Sequence, residues 1–402
     1  MEHRHAPSAH PLARRPHRRR RRPRGAHRRA RLTPRTPLPF VGIDELGGRP
    51  HVVVDGAARP GTVLTLSHWP GSATPRRLRR DLSAEIALAA VGRRGAWRGA
   101  EAVTNDHFDE DGLASLFTLV EPERALALGD RLVAFAAAGD FDVAPDPGVA
   151  SSVLAARALL DPERGRILSS TELAGTLATA LRYEALLPRL PELLEHPEHF
   201  AALYAEEEAL LTASRRALAE GRVSIEEHPE LDLAVVTLPD GVALGHFAVG
   251  HRGGIPLHPL ALHSATRRSR VLVACGSRFT YHDRYESWVT VVSRPVARRR
   301  ELAPLALRLS EEEGRGARWT ADAAGALVAV LDHEGESALT LERVLALLTE
   351  HLRRAPVAWD PFAPGGRGPG GRPASGRAAS RGGTSGRGRP RGRGRSPAPP
   401  SA

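Results

Sequence analysis

The chain has no lysine and no glutamine, and among its 402 residues only one asparagine (Asn105), one cysteine (Cys275) and one methionine. All 57 of its basic residues are therefore arginine, which marks a compositional bias toward Ala, Arg, Gly and Pro. A single cysteine excludes an intrachain disulfide and fits a reducing interior. No stretch of about 18 apolar residues occurs, so no membrane-spanning helix is expected. The N-terminal arginine run has no apolar segment after it, and the expectation is a cytoplasmic protein without a membrane role. Aromatic residues make up only 4%.

Acidic residues are missing from the ends rather than from the whole. Residues 1–39 carry 13 arginines and one acid, residues 361–402 carry nine arginines and no acid, and the region between is net −10. Two disordered Arg-rich tails on an acidic body follow from this. The Gly-Arg repeats between Gly365 and Arg395 resemble flexible nucleic-acid-binding segments, but they lack interleaved aromatics to stack on bases. Any nucleic-acid binding through the tails is expected to be weak. The acidic body disfavours long polyanions.

What remains is long enough for a large core, and its pattern is that of an α/β protein. After the tail at 1–39, residues 40–147 read as a strand-helix sheet domain. Strands are expected at His51–Asp55, Thr62–His68 and Ala102–Thr104, and helices over Thr74–Ala90, Leu113–Val120 and Glu123–Ala138. Residues 148–220 read as a helical spacer. Residues 221–356 read as an α+β domain with strands at Ala234–Leu238, Ala243–Val249, Val271–Ala274 and Trp288–Val292 and a helix at Leu341–Arg353. Residues 361–402 form the second tail. No repeat at a fixed period is present.

Chemistry concentrates between Val103 and Ser115. If the run is extended, alternation sends His107, Asp109 and Asp111 to one side, and Gly112 permits a tight turn into a helix. One imidazole and two carboxylates without cysteine suit Mn²⁺ or Mg²⁺ rather than structural zinc. An EF-hand alignment fails, because its first and twelfth positions would fall on His107 and Thr118. A loop in which an aspartate merely caps the next helix is the plain alternative.

The run His107-Phe-Asp-Glu-Asp-Gly-Leu-Ala-Ser115 resembles the first motif of the DHH phosphoesterases, a superfamily that includes exonucleases and manganese pyrophosphatases. In that family the motif holds part of a two-manganese centre at strand ends. The resemblance implies that Asp55 is the aspartate closing a second-motif strand, that His68 in Ser67-His-Trp-Pro70 stands in the third motif, and that Asp140 is the fourth. The motif order is permuted, and the third motif lacks its leading aspartate and second histidine. Leu66-Ser-His-Trp-Pro-Gly71 and Arg284-Tyr-Glu-Ser-Trp288 also resemble a family of uncharacterised bacterial proteins.

The function these features imply is a Mn²⁺- or Mg²⁺-dependent phosphoesterase acting on a small phosphorylated substrate or a short oligonucleotide. Asp109 and Asp111 would be catalytic, and His107, Asp109, Asp111, Asp55, His68 and Asp140 would hold metal. Arg252, in the glycine-rich Gly250–Gly254 element, and Arg284, on an expected strand face shared with Glu286, are candidate substrate contacts. Two alternatives remain: a non-catalytic ligand- or nucleic-acid-binding protein, and a haloacid-dehalogenase-like phosphatase with Asp109 as nucleophile and Asp111 as acid/base.

Overall fold

Valine-rich segments build a three-stranded parallel sheet from β1 (His51–Val54), β2 (Thr62–Leu66) and β3 (Ala102–Thr104), in the order β2-β1-β3. The computed structural model describes residues 36–363 except 94, 240–243 and 315–317, and excepting the side chains at 252 and 253. Every residue of the central β1 is buried, which is why it reads as a continuous apolar run rather than an alternating one. The chain returns from β1 to β2 through residues 55–61, turning at Asp55 (φ 43°) and Gly61 (φ 87°).

Helices pack against this sheet: α1 (Ser83–Val91), α2 (Glu110–Val120), α3 (Pro122–Ala127) and α4 (Gly129–Asp140). A helical layer continues through α5 (Pro147–Leu160), α6 (Ser170–Ala174), α7 (Ala178–Leu186), α8 (Leu190–Glu195) and α9 (Ala201–Ala219). Local capping starts several of them. Asp109 accepts the Gly112 N–H at the start of α2, Asp146 accepts the Gly148 N–H before α5, and Ser169 and Glu172 bond reciprocally at α6. Ile86, Ala87 and Ala90 of α1, Leu113, Leu116 and Phe117 of α2, and Leu132 and Phe135 of α4 form one buried core. Gly139 permits the close crossing of α4 on α2, since a Cβ there would meet the Glu110 Cβ at 2.3 Å.

The second half comprises β4 (Ser224–His228), β5 (Leu233–Leu238), the hairpin β6 (Phe247–Val249) and β7 (Arg252–Ile255), α10 (Pro259–Ala265), β8 (Arg270–Cys275), β9 (Arg278–Asp283), β10 (Arg299–Arg300), α11 (Ala303–Glu313), β11 (Trp319–Ala321), β12 (Ala329–His333), α12 (Leu341–Arg354) and β13 (Val357–Trp359). A six-stranded sheet runs β11-β12-β9-β8-β5-β4, parallel only between β5 and β8. One face carries Leu231, Leu272, Phe279 and Leu331 against α11 and α12; the other packs Val236, Val273 and Val330 with Trp288 and Trp359. The two halves belong to one unit. The Thr290 N–H and Oγ1–H both donate to the His68 carbonyl (3.0 and 2.7 Å), and Arg284 donates to the Phe141 carbonyl (2.8 Å).

Local elements depart from the sequence expectation in several places; the strand expected over Ala243–Val249 forms, among the described residues, only at Phe247–Val249. The helix expected from Thr74 is a 3-10 turn at Arg76–Leu78, and α1 begins only at Ser83. The helix expected from Leu113 starts at Glu110, and that expected over Glu123–Ala138 is two helices, α3 and α4. No strand forms at Trp288–Val292, where a 3-10 turn at Tyr285–Ser287 leads into irregular chain. There Thr290 satisfies the His68 carbonyl, and the Val292 and Ser293 N–H groups donate to Asp81 Oδ1 (2.7 and 2.9 Å), so tertiary partners replace a sheet ladder. Both Arg-rich tails lie outside the described residues, apart from 36–39 and 361–363. Among the described residues, no helix is long and apolar enough to cross a membrane.

Candidate metal centre

The three strands of the parallel sheet end side by side, and each end delivers a polar side chain. Asp55 follows β1 in the left-handed backbone region, which aspartate tolerates better than most residues. His68 follows β2, and its Nδ1 donates to the Asp81 carbonyl (2.6 Å). His107 lies in the bend after β3, its carbonyl accepting the Tyr183 hydroxyl (2.6 Å). Asp109 is the N-cap of α2 and Asp111 lies in its first turn, so the two reach the site from a helix start and not from alternate strand positions. Asp111 accepts the Ser83 and Ala84 N–H groups at 2.7 Å each, standing at the positive end of α1. Asp140 ends α4.

All six residues converge. His68 Nε2 lies 3.4 Å from Asp55 Oδ1, 3.4 Å from Asp140 Oδ2 and 3.9 Å from Asp111 Oδ2. His107 Nε2 lies 3.3 Å from Asp55 Oδ2 and 2.8 Å from Asp109 Oδ2. Two triads result, an inner Asp55–His68–Asp111 and an outer Asp55–His107–Asp109, with donor atoms inside each triad within 4.8 Å of one another. Asp55 belongs to both, presenting one oxygen to each histidine. Because a carbonyl can only accept, His68 keeps its proton on Nδ1; its Nε2, buried among carboxylates, has no hydrogen-bond partner. His107 Nδ1 likewise faces the Asp106 carboxylate (3.2 Å), an arrangement that holds a ring nitrogen ready for a cation.

The charges are held in tension. Burial first, then the Asp109 charge, raises the Asp55 pKa; burial, Asp55 and Asp109 push Asp111 well above the carboxylate range. Burial also works against charge on Asp109, but His107 and the Gly112 N–H outweigh it and hold that carboxyl at about 2. His107 loses by burial and gains more from Asp109, Asp106 and Asp55, so it stands well above the ordinary histidine value. Protons thus serve as counter-ions among the clustered carboxylates.

Several neighbours escaped the sequence reading. Ser83 Oγ–H donates to Asp55 Oδ1 (2.7 Å), Arg59 Nη2 donates to Asp106 Oδ2 (2.7 Å), and the Trp69 ring lies 5.0 Å from that of His107. Asp106 was adjacent to the motif, and its repeated acid was the available signal; Trp69 stood in the Ser67–Pro70 run, and Arg59 and Ser83 had no signal. The site opens on the outer side, where the Asp109 side chain is 22% exposed, His107 10% and Arg59 47%. A separate cleft of about 310 Å³ lies against Trp69, Thr74, Arg79 and Arg80.

Of the two expected substrate arginines, Arg284 is engaged in the fold. Arg284 is buried; it donates to the Thr266, Arg268 and Phe141 carbonyls and pairs with Glu286 (2.7 Å), so it braces the two halves rather than reaching for an anion. It precedes a 3-10 turn rather than lying on a strand face. The side chain of Arg252 lies outside the described residues.

Close to Asp140, Asp142 Oδ2 lies 3.3 Å from His263 Nδ1, and His263 Nε2 lies 3.1 Å from His282 Nε2. Burial is the main cause that lowers both histidine pKa values, with Arg284 and, for His282, the neighbouring ring adding to it. A base with a depressed folded pKa binds fewer protons than in the unfolded chain, so stability is complete above the unfolded value of about 6.5 and falls as pH drops below it. The contribution of this pair is expected to fall between about pH 7.5 and 5.5, so acidification should lower the denaturant midpoint less in His282→Leu than in the parent. Equal slopes in parent and variant would assign the pH dependence to other groups.

The fold and site together define an α/β protein with a buried histidine-carboxylate centre at the edge of a parallel sheet. A family model matches residues 36–362, and the chain belongs to that family, DUF6687, a family of unknown function. This agrees with the expected likeness to an uncharacterised family. No curated protein and no solved structure matches the chain.

Proposed function

We propose that the protein is a Mn²⁺- or Mg²⁺-dependent phosphoesterase that hydrolyses a small phosphate ester or short oligonucleotide, in the manner of the DHH enzymes that its His107–Gly112 motif resembles. The observation that carries this reading is Asp55, whose two oxygens face different histidine-carboxylate triads, as a carboxylate shared by two ions must. Asp55, His68 and Asp111, with Asp140 beside them, would hold one ion; Asp55, His107 and Asp109 would hold the other. Two such ions would supply a Lewis acid for a phosphoryl oxygen and would lower the pKa of water.

The chain's own groups orient this centre. The α1 N-terminus fixes Asp111, the Asp81 carbonyl fixes His68, and Asp106 fixes His107. Arg59, exposed beside the mouth, can exchange Asp106 for a substrate phosphate. Oxygen and imidazole donors without thiolate favour Mn²⁺ or Mg²⁺. The Arg-rich ends would add weak, salt-sensitive attraction for polyanions.

The test is phosphate release by the full-length protein from p-nitrophenyl phosphate and from short oligonucleotides, with Mn²⁺, Mg²⁺ or chelator, beside Asp109→Asn. Turnover that needs the metal and disappears in the variant supports the reading. Metal binding without turnover on any phosphate ester overturns the catalytic reading in favour of ligand recognition.

A further inference from the structure

We infer that the two ion positions are unequal: the inner triad keeps its ion, while the outer triad takes up a second ion that exchanges with solvent and sets the fraction of working sites. This inference rests on the metal-dependent reading above and concerns how that site is regulated.

Burial separates the two positions. The side chains of Asp55, His68 and Asp111 are fully buried, and the Phe141 and Tyr285 rings lie 6.4 and 5.9 Å from that of His68. An ion there leaves only if the roof opens, and the roof is tied down. Asp81, whose carbonyl holds His68 Nδ1, binds the Val292 and Ser293 N–H groups through its side chain, and Thr290 donates twice to the His68 carbonyl. The outer donors His107 and Asp109 stay partly open to solvent, although the Trp69 ring lies 5.0 Å from that of His107.

Charge acts in the same direction. The inner position faces Asp55, Asp111 and Asp140, whereas the outer one adds Asp109 to the shared Asp55, the nearby Asp106 charge being answered by Arg59. The first ion therefore settles inside and neutralises Asp55, leaving less negative charge for the second. Donor rigidity and charge count together tune cation affinity over many decades, so the two dissociation constants should differ by about 100-fold or more.

The experiment uses the full-length chain. Protein loaded with excess Mn²⁺ is desalted into metal-free buffer and its manganese counted by mass spectrometry; free Mn²⁺ is then titrated back and followed by electron paramagnetic resonance. One retained ion per chain and one titrating ion are expected. Asp109→Asn, in which asparagine preserves the N-cap, should keep the retained ion and lose the titrating one. Two ions retained, or two titrating with equal affinity, would overturn the inequality and leave the metal-dependent reading standing. No ion at either position would remove both.

Discussion

Replacing Asp55 with asparagine is expected to abolish binding of both ions while leaving the metal-free protein at least as stable as the parent. The reasons are local. Asparagine is at home at φ 43°, so the turn after β1 survives, and its amide oxygen can still accept the Ser83 hydroxyl. Asp55 is also a buried charge that raises the pKa of Asp111, so its removal relieves repulsion in the empty site. Ion binding, in contrast, loses the one carboxylate both triads share. Turnover should fall by more than the roughly 10–100-fold that outer partners of a metal ligand cost. Thermal melts give a second readout. The parent should gain about 2.7 kcal/mol at ion concentrations of roughly 100 times the dissociation constant. At about 2 °C per kcal/mol for a chain of this size, that is a rise of roughly 5 °C. The variant should show no rise. A variant that still binds an ion and melts higher with it would show that Asp55 is not the shared ligand.

Arg299→Met is expected to give the largest loss of stability, about 3–5 kcal/mol, because it leaves several buried carbonyls without donors. The Arg299 side chain is wholly buried. Its Nε donates to Ser287 Oγ (2.7 Å), Nη1 to the Ala324 (3.1 Å) and Ala326 carbonyls, and Nη2 to the Arg284 (3.0 Å) and Leu327 (2.8 Å) carbonyls. Burial lowers its pKa to about 10, and it stays charged at neutral pH. Methionine fills much of the stem volume but donates nothing, and each buried carbonyl left without a donor costs about 1–3 kcal/mol. A fall in melting temperature of roughly 6–10 °C follows at this chain size. Arg299→Lys should recover only part of it, since an ammonium cannot reproduce the planar fork. A loss under about 1 kcal/mol in denaturant titration would show that water replaces the guanidinium donors.

The sequence pattern located strands well where burial was uniform. The valines of β1 and the run Val271–Ala274 in β8 were legible because strands covered on both faces are apolar throughout. The start of α2 was not, because Glu110 and Asp111 look like loop residues. They enter a buried helix only because Glu110 pairs with Arg157 (2.7 Å) and Asp111 caps α1. β9, β11 and β12 were missed for a related reason. Polar residues interrupt their apolar pattern and find partners that spacing does not show: Thr280 donates to Asp332 on the neighbouring strand, Tyr281 to Asp283 two residues on, and His282 meets His263 of α10.

The candidate site divides the same way. Its six donors were named from the sequence, His107, Asp109 and Asp111 from a compact motif and Asp55, His68 and Asp140 from resemblance. Arg284 looked equally available, and only the fold shows it bonded to carbonyls from both halves. By itself the sequence determined the kinds of donor present, the lack of thiolate and the acidity of the body, because those are properties of composition and short spacing. The tertiary structure alone decided that Asp55 stands between two histidines, that one triad is sealed and the other open, and that α1 points its N-terminus at Asp111. Those facts depend on the β2-β1-β3 strand order and on how distant helices cross it. That order is set by which apolar faces bury one another, a competition that local spacing does not encode.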